Sequence, residues 1–219
     1  MTKYLITGTN RGIGLELCRQ LIAKGDEVIA VCRQPSEELK ALAVTVIENI
    51  DVTRPEDLHS LSEQLSGTHI DVLINNAGVW SDESLGEFSV DKMMGTMHCN
   101  AFAPLMVSEA LLPRLVQGSK IVMITSRMGA IGDNTSGGRY SYRMSKAALN
   151  AGAKSLSLDL AERGIAVGIV HPGHVATDMG GEKGIPVEVS AANILQRIDE
   201  LDTHNSGEFY HANGEILPW

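Results

Sequence analysis

A tyrosine and a lysine one helical turn apart are the residues of this sequence best suited to proton transfer. Tyr142 and Lys146 are spaced i and i+4 in a segment rich in helix-forming residues, so both side chains project from one face. A phenol exchanges protons poorly at neutral pH because its pKa is about 10, and a nearby ammonium is expected to lower that pKa. The pair is therefore predicted to act as an acid/base. Tyr140 is the weaker candidate, because Met144 stands where its lysine would be.

Ser126 is a second polar residue predicted to lie near the same reacting atoms. It follows the apolar run Lys120–Thr125, where its hydroxyl could hydrogen-bond the oxygen on which Tyr142 acts. The alternative is a hydroxyl that closes the strand end or caps a turn. A hydrolase nucleophile is not favoured, because Ile124 and Met128 occupy the positions where a G-x-S-x-G elbow requires glycine.

A glycine-rich stretch between the first predicted strand and the first predicted helix is suited to binding a dinucleotide. Gly8 permits a tight turn, Gly12 lets the backbone approach a pyrophosphate, and Gly14 allows close packing of the helix. The helix N-terminus would add free N–H groups and a partial positive charge. The residues between the glycines are predicted to contact the same ligand: Thr9, Asn10, Arg11 and Ile13. The alternative is a tight connection without a ligand.

A polar turn follows the fourth predicted strand and would border the same crevice. It reads Asn75-Asn76-Ala77-Gly78, and we predict that its last three residues line the nucleotide site. The alternative is a simple turn rich in asparagine, whose side chain often hydrogen-bonds the local backbone.

Two arginines near the predicted phosphate loop indicate which dinucleotide is bound. NAD-specific sites of this kind carry an acidic residue after the second strand, where it holds the 2′-hydroxyl of the ribose. Here Arg33 follows that strand, and Arg11 precedes the second glycine of the loop. Guanidinium groups are suited to a 2′-phosphate, so NADP(H) is predicted in preference to NAD(H). The alternative is that both are ordinary solvated arginines.

Strand and helix patterns alternate along the chain and would bring these motifs together. Six apolar runs bounded by turn residues are typical of buried parallel strands: Tyr4–Thr7, Glu27–Cys32, Val44–Ile50, Ile70–Ile74, Lys120–Thr125 and Ile165–Val170. Four stretches have the spacing of amphipathic helices: Ile13–Ala23, Pro55–Leu65, Asp91–Leu115 and Ser141–Arg163. Near the C-terminus, Glu208–His211 and Glu215–Leu217 flank an Asn-Gly turn and predict a last strand with a short return.

The alternation predicts an α/β fold, a Rossmann-type doubly wound parallel sheet of about seven strands with helices on both faces. Ligands of such sheets bind at the carboxyl ends of the strands. With 219 residues and no interdomain linker, the chain is predicted to form a single domain that both binds the dinucleotide and carries the catalytic residues.

Composition and charge exclude several other classes of protein. The net charge of −9 and the lack of a basic block argue against a nucleic-acid partner. No run reaches the roughly 18 apolar residues of a membrane span, and no targeting segment is recognised at the N-terminus. Cys18, Cys32 and Cys99 have no metal-ligand spacing and are expected to be small buried thiols, which suits a cytoplasmic location and predicts no metal site.

Taken together and in order, these motifs closely resemble the short-chain dehydrogenase/reductase family across essentially the whole chain. The residues that carry the resemblance are Gly8-x-x-x-Gly12-x-Gly14, Asn76-Ala77-Gly78, Ser126, Tyr142-x-x-x-Lys146 and Pro172-Gly173. Within the family, the segments around Ser126, Asp133–Gly138 and Tyr142 look like those of the C-factor and sniffer-type carbonyl reductases.

The resemblance implies a role for each catalytic residue. Tyr142 would be the acid/base and Ser126 would orient the substrate oxygen. Lys146 would lower the tyrosine pKa and bind the nicotinamide ribose, and Asn100 would support a proton relay. The resemblance also places Asp51 and Val52 at the adenine ring, Asn76 near the adenosine ribose, and Pro172, Gly173, Val175 and Thr177 around the nicotinamide.

The function expected from these residues is NADP(H)-dependent hydride transfer between nicotinamide and a small carbonyl or alcohol substrate. The alternative is an NADP(H)-binding signalling or regulatory protein with little turnover, because a fold does not fix a function. By resemblance, the chain would form a homodimer or homotetramer through the helices Asp91–Leu115 and Ser141–Arg163. Apolar walls for the substrate are expected from Met128, Met144, Met179 and Trp80, although packing elsewhere explains each equally well.

Overall fold

A parallel sheet of seven strands forms the centre of the computed structural model, which describes residues 1–219. The strands are β1 (Lys3–Thr7), β2 (Glu27–Val31), β3 (Thr45–Ile47), β4 (Val72–Asn75), β5 (Lys120–Ile124), β6 (Ala166–His171) and β7 (Phe209–His211). They lie in the order β3-β2-β1-β4-β5-β6-β7, and every neighbouring pair is parallel. The predicted fold class is therefore confirmed.

Helices cover both faces of the sheet. They are α1 (Gly12–Lys24), α2 (Glu37–Lys40), α3 (Pro55–Gln64), α4 (Val90–Met97), α5 (Ala103–Leu111), α6 (Tyr140–Asp159) and α7 (Val187–Glu200). Successive strand residues point to opposite faces, so Leu5 packs with apolar residues of α3, α5 and α6, whereas Ile6 packs with those of α1 and α7. Two buried clusters of 24 and 22 residues result, one on each face of the sheet.

The strand order reverses between β1 and β4, and this reversal fixes where a ligand can bind. The chain runs outward through β2 and β3 on one side of β1, and through β4 to β7 on the other. The connections after β1 and β4 therefore leave the sheet in opposite directions and open a crevice at the carboxyl ends of the strands. Both the glycine loop and the Asn-Ala-Gly turn follow strands that border this crevice.

The long helix predicted over Asp91–Leu115 is interrupted. A π-helical turn, His98–Phe102, separates α4 from α5, and a 3₁₀ turn follows α5. Pro104 explains the interruption, because it has no N–H to donate to the carbonyl four residues earlier, that of Asn100. The N–H of Ala103 instead bonds the carbonyl of His98, five residues back.

Other boundaries differ more modestly from the sequence predictions. Helix α6 ends at Asp159 and continues as a short 3₁₀ turn to Arg163. The predicted return strand near the C-terminus is only a single antiparallel bridge, between Tyr210 and Ile216. No helix is long and apolar enough to cross a membrane.

Helix α7 is the one long element that the sequence patterns did not identify. Its buried residues, Ala191, Ile194, Leu195 and Ile198, have the i, i+3, i+4, i+7 spacing of an amphipathic helix. The helix begins directly after Pro186, a residue common near helix starts. Both signals were therefore present in the sequence.

Candidate active site

A cleft of about 870 Å³ opens at the carboxyl ends of the central strands, within the size range of small-molecule sites. Most of the predicted site residues line it: Gly8, Asn10, Arg11, Gly12, Ile13, Arg33, Asp51, Val52, Asn76, Ala77, Gly78, Tyr142, Lys146, Pro172 and Thr177. Segments far apart in the sequence thus meet at one edge of the sheet.

Tyr142 and Lys146 lie in the first two turns of α6 and are both buried, 8% and 5% exposed. The Lys146 Nζ lies 5.8 Å from the centre of the Tyr142 ring and donates a hydrogen bond of 2.9 Å to the carbonyl of Ile124, at the end of β5. Burial lowers the pKa of Lys146 to about 8. The ammonium is therefore still mainly charged at neutral pH.

The pKa of Tyr142 is shifted in the direction opposite to the one expected from the lysine spacing. Burial raises the pKa of the phenol, and the neighbouring Ser126 hydroxyl lowers it by less. The prediction of a lowered Tyr142 pKa is therefore wrong, because the loss of solvent outweighs the nearby polar groups. A phenol with a raised pKa is protonated at neutral pH and is ready to donate its proton.

Ser126 lies two residues beyond the end of β5 and is 7% exposed. Its Oγ accepts a hydrogen bond of 3.1 Å from the N–H of Met128, within the short 3₁₀ turn Arg127–Gly129. The capping role that the sequence left open is thus present. The same hydroxyl also interacts with the Tyr142 phenol, so capping and proximity to the phenol occur together.

The glycine loop has the shape that a pyrophosphate requires. Gly8 and Gly12 have φ angles of 71° and 56°, in the left-handed region. A Cβ on Gly14 would lie 2.3 Å from the carbonyl oxygen of Gly8, so only glycine lets α1 approach the loop this closely. No side chain caps the N-terminus of α1, which leaves its N–H groups directed at the crevice. The residues present therefore fit a dinucleotide.

Thr9 and Asn76 support the loop in ways that the sequence did not indicate. Thr9 is fully buried and does not line the cleft, because its hydroxyl donates to the carbonyl of Val31 at 3.3 Å. The Asn76 Nδ2 donates to the carbonyls of Thr7 and Gly8, each at 3.0 Å. The prediction that Thr9 contacts the cofactor is corrected to a structural role. Asn76 lines the cleft while holding the glycine loop in place.

The two arginines predicted to bind a 2′-phosphate both lie at the cleft with exposed side chains, and each is paired with an acidic residue. Arg11 contacts Asp178 at 3.0 Å, and Arg33 lies 3.9 Å from Asp51. Burial opposes ionisation of Asp51, but hydrogen bonds from Thr53 and the nearby guanidiniums of Arg33 and Arg54 hold its pKa below the usual value. Exposed pairs of this kind contribute little stability, so the guanidiniums are available to a ligand.

Asn100 lies in the π-helical turn and is fully buried. Its Oδ1 accepts from the N–H of Val79 at 2.8 Å, and its Nδ2 donates to the Val79 carbonyl at 2.9 Å and to Ser145 Oγ at 3.1 Å. Both amide hydrogens are therefore used within the protein. These contacts give Asn100 a supporting role for the loop after β4, and the relay role remains a prediction.

The segment predicted to surround a nicotinamide folds partly away from the cleft. Pro172 and Thr177 line the cleft, whereas Val175 is buried and forms a bridge to Ile185. Gly173 has a φ of 92° and does not line the cleft, because its α-carbon faces Ile185 and His211 instead. Gly173 and Val175 therefore stabilise the shape of this loop and do not form part of the cleft surface.

Several cleft residues were missed or assigned differently from the sequence. Trp80 and Met179 line the cleft as expected for apolar walls, but Met128 and Met144 do not. Cys99 is only half buried and also lines the cleft, unlike the buried Cys18 and Cys32. Glu83, which no sequence pattern singled out, is a buried carboxylate at the cleft wall.

Comparison with known proteins is consistent with this geometry. A family model described as short chain dehydrogenase matches residues 2–186. A relative from Rhodococcus sp. (strain AD45), 1-hydroxy-2-glutathionyl-2-methyl-3-butene dehydrogenase, is 39% identical over 227 residues and is covered, like this chain, over 100% of its length. The C-signal protein of Myxococcus xanthus is 45% identical over 156 residues, which span 68% of this chain and 93% of C-signal.

Solved structures superpose on this protein over its whole length. A carbonyl reductase from chicken fatty liver, with NADPH bound, superposes with a TM-score of 0.92 at 31% identity, covering 100% of this chain and 99% of its own. The carbonyl reductase Sniffer of D. melanogaster superposes with a TM-score of 0.92 at 32% identity, covering 100% of both chains.

Proposed function

The chain belongs to the short-chain dehydrogenase family and is an oxidoreductase, and on that basis we propose that it is an NADP(H)-dependent enzyme that interconverts a carbonyl compound and its alcohol. The proposal rests chiefly on one observation: Tyr142 and Lys146 are both buried at the floor of the cleft, where Ser126 interacts with the same phenol. In the structures of relatives, the bound nucleotide is NADPH or NADP.

Each residue of the proposed site has a distinct task in carbonyl reduction. Tyr142 donates its phenolic proton to the substrate oxygen, and the Ser126 hydroxyl donates a hydrogen bond to that oxygen. Lys146, as an ammonium, stabilises the phenolate left behind, and solvent returns the proton after product leaves. When bound, NADPH supplies the hydride to the carbonyl carbon. The raised pKa keeps Tyr142 protonated at neutral pH, the form that carbonyl reduction requires.

We propose that Arg11 and Arg33 select NADP(H) through its 2′-phosphate. Charge-assisted hydrogen bonds contribute roughly 1.5–3 kcal/mol each, so Arg33→Ala is expected to weaken NADPH binding by about 10- to 100-fold and NADH binding hardly at all. Isothermal titration with both nucleotides measures this difference, and Arg11→Ala is expected to act in the same direction. Arg19→Ala, on the outer face of α1 beside Glu16, is the matched control. Equal affinity of the unaltered protein for NADH and NADPH would refute the selection.

Lys146→Met is expected to abolish turnover and yet stabilise the fold. Burial holds the pKa of Lys146 at about 8 in the folded protein, against the ordinary value of 10.5. Between pH 10.5 and pH 8 the unfolded chain therefore binds the proton more readily than the folded protein, and the free energy of unfolding decreases as the pH falls. Below pH 8 the full cost of the buried ammonium is present. The Met variant should therefore unfold with a free energy higher by on the order of 1–3 kcal/mol at pH 7, and the gain should shrink towards pH 10.

Thermal unfolding followed by circular dichroism at pH 7 and pH 10 checks this pH dependence. Lys154→Met, two turns further along the same helix and only half buried, is the control and should show no such pH-dependent gain. A Lys146→Met protein that is less stable than the unaltered chain at pH 7 would contradict the prediction.

The relatives support small alcohols and carbonyl compounds as the proposed substrate class. The name of the Rhodococcus relative identifies a 1-hydroxy compound that it dehydrogenates, and two neighbouring structures are carbonyl reductases. We therefore propose a test panel of aldehydes, ketones and primary alcohols, including alcohols with a neighbouring thioether, followed by absorbance at 340 nm. The carbonyl compounds are tested for oxidation of NADPH and the alcohols for reduction of NADP⁺. If no compound of the panel changes the absorbance, the enzymatic proposal is rejected for this substrate class.

The C-signal relative favours a second candidate, an NADP(H)-binding signalling protein with little turnover. Tyr142 and Lys146 at one cleft, with the Ser126 hydroxyl beside the phenol, argue for catalysis instead. The two candidates differ in one measurement: the signalling protein would bind NADPH, leave the whole panel unchanged and retain its biological effect in a Tyr142→Phe variant.

We also propose that the chain forms a homodimer or homotetramer. Exposed apolar side chains lie on the two segments predicted to pair, Asp91–Leu115 and Ser141–Arg163, among them Phe102, Met144 and Leu158. Light scattering at several protein concentrations decides between these states and a monomer.

A further inference from the structure

Glu83 is a buried carboxylate outside the acid/base group, with an unusual set of contacts. It is 6% exposed, and its Oε1 accepts hydrogen bonds of 2.5 Å from both the Ser81 and the Ser141 hydroxyls. Its backbone carbonyl accepts a bond of 2.9 Å from the N–H of Arg139. Burial opposes its ionisation, but these serine hydroxyls and nearby backbone N–H groups hold its pKa below the ordinary value. Glu83 is therefore a carboxylate anion at neutral pH.

These contacts replace the side-chain cap that is missing from the residue before α6. The residue before the helix, Arg139, has a φ of 55°, and its side chain makes no capping hydrogen bond. Glu83 comes from the loop after β4 and places its negative charge at the positive N-terminal end of this 20-residue helix. The loop and the helix are thus joined next to Tyr142, which directly follows Ser141.

The same loop carries an aromatic side chain against the proposed acid/base. The Trp80 and Tyr142 rings lie with their centres 4.6 Å apart at an angle of 51°, and the Arg139 guanidinium lies 5.8 Å from the Trp80 ring centre. Trp80 is 40% exposed and lines the cleft, so its ring forms a wall beside the phenol. Such aromatic pairs contribute about 0.5–1.5 kcal/mol, too little to hold a loop residue in place alone.

The loop is held on both sides of Trp80. On one side, Asn100 bonds both backbone groups of Val79, and on the other, Glu83 bonds Ser141. Without the Glu83 carboxylate, this side of the loop would keep only the backbone hydrogen bond from the Arg139 N–H to the Glu83 carbonyl, and Ser81 and Ser141 would no longer be joined.

We infer that Glu83 is a positioning residue that fixes Trp80 against the Tyr142 ring by joining the loop after β4 to the N-terminus of α6. It acts through hydrogen bonds to Ser81 and Ser141, and it does not touch the reacting atoms. Displacement of a site residue by about 1 Å can lower a rate about 100-fold, so this join affects turnover as well as loop order. The effect on turnover rests on the proposed function, whereas the effect on Trp80 does not.

Glu83→Ala tests the inference in a Trp219→Phe background, which leaves Trp80 as the only tryptophan. We expect Trp80 emission to shift to the red, acrylamide quenching to increase, and kcat for carbonyl reduction to fall about tenfold or more. Glu83→Gln keeps an oxygen that accepts from both serines, so it should restore the Trp80 spectrum and bring kcat to within about threefold of the parent. In a Tyr142→Phe background, Glu83→Ala should lower the residual rate no further.

Glu87→Ala is the matched control, because Glu87 is an exposed carboxylate of the same loop that bonds only the N–H of Ser84. If Glu83→Ala fails to fold, Ser141→Ala removes one of the two hydroxyl donors and should change emission in the same direction. An unchanged Trp80 spectrum in folded Glu83→Ala overturns the inference. Equal losses of kcat in Glu83→Gln and Glu83→Ala also overturn it. A spectral change in a protein with no reductase activity would support the positioning of Trp80 and reject the proposed function alone.

Discussion

Tyr142→Phe is expected to lower kcat/KM for carbonyl reduction by about 10²–10⁴-fold, the usual contribution of a positioned acid. The substitution removes only the hydroxyl, so the ring remains packed against Trp80 and the buried environment is preserved. NADPH affinity should change little, because the glycine loop and the arginines are untouched. Stopped-flow or steady-state absorbance with the most active panel substrate measures the rate, and fluorescence titration measures the affinity.

Tyr140→Phe is the matched control for this prediction. Tyr140 lies two residues earlier in the same helix, its ring packs edge-on against Phe88, and it has no lysine one turn later. Its hydroxyl should therefore be dispensable for turnover. Equal activity of Tyr142→Phe and the unaltered protein would remove the acid/base assignment, and a large loss in Tyr140→Phe would point to a structural effect of helix α6.

Gly14→Ala is expected to lower both NADPH affinity and stability. Alanine favours helices over glycine by about 1 kcal/mol, but here its Cβ would lie 2.3 Å from the Gly8 carbonyl oxygen and 2.6 Å from the Asn76 Nδ2. Backbone atoms must move to relieve such contacts, and overpacking of this kind costs about 1–3 kcal/mol. The clash therefore outweighs the gain in helix propensity.

Because Asn76 holds the Thr7 and Gly8 carbonyls, the displaced loop should also lose its fit to a pyrophosphate, and we expect NADPH affinity to fall at least about tenfold. Denaturant unfolding and nucleotide titration measure the two effects. Gly132→Ala is the control, because Gly132 has an ordinary φ and the nearest atom to its added Cβ is 3.5 Å away. Normal NADPH affinity in Gly14→Ala would refute the proposed phosphate loop.

Much of the fold could be predicted from the sequence because its signals are local. Short apolar runs and helical spacing identify elements without knowledge of their partners, and α1, α3, α6 and the strands of the sheet follow them closely. The interruption at Asn100 was missed, although Pro104 supplied a local signal for it. Helix α7 was not predicted, although its apolar residues have regular helical spacing and a proline precedes it.

The sequence by itself determined the αβ alternation, the glycine loop and the Tyr142–Lys146 spacing, because each depends on residues within a few positions of one another. Only the tertiary structure decided the direction of the Tyr142 pKa, since burial depends on everything packed around the phenol. It also decided that Thr9 faces the core and that Glu83 reaches Ser141, 58 residues later in the chain. Such contacts join distant segments, and no local pattern encodes which side chains a fold brings together.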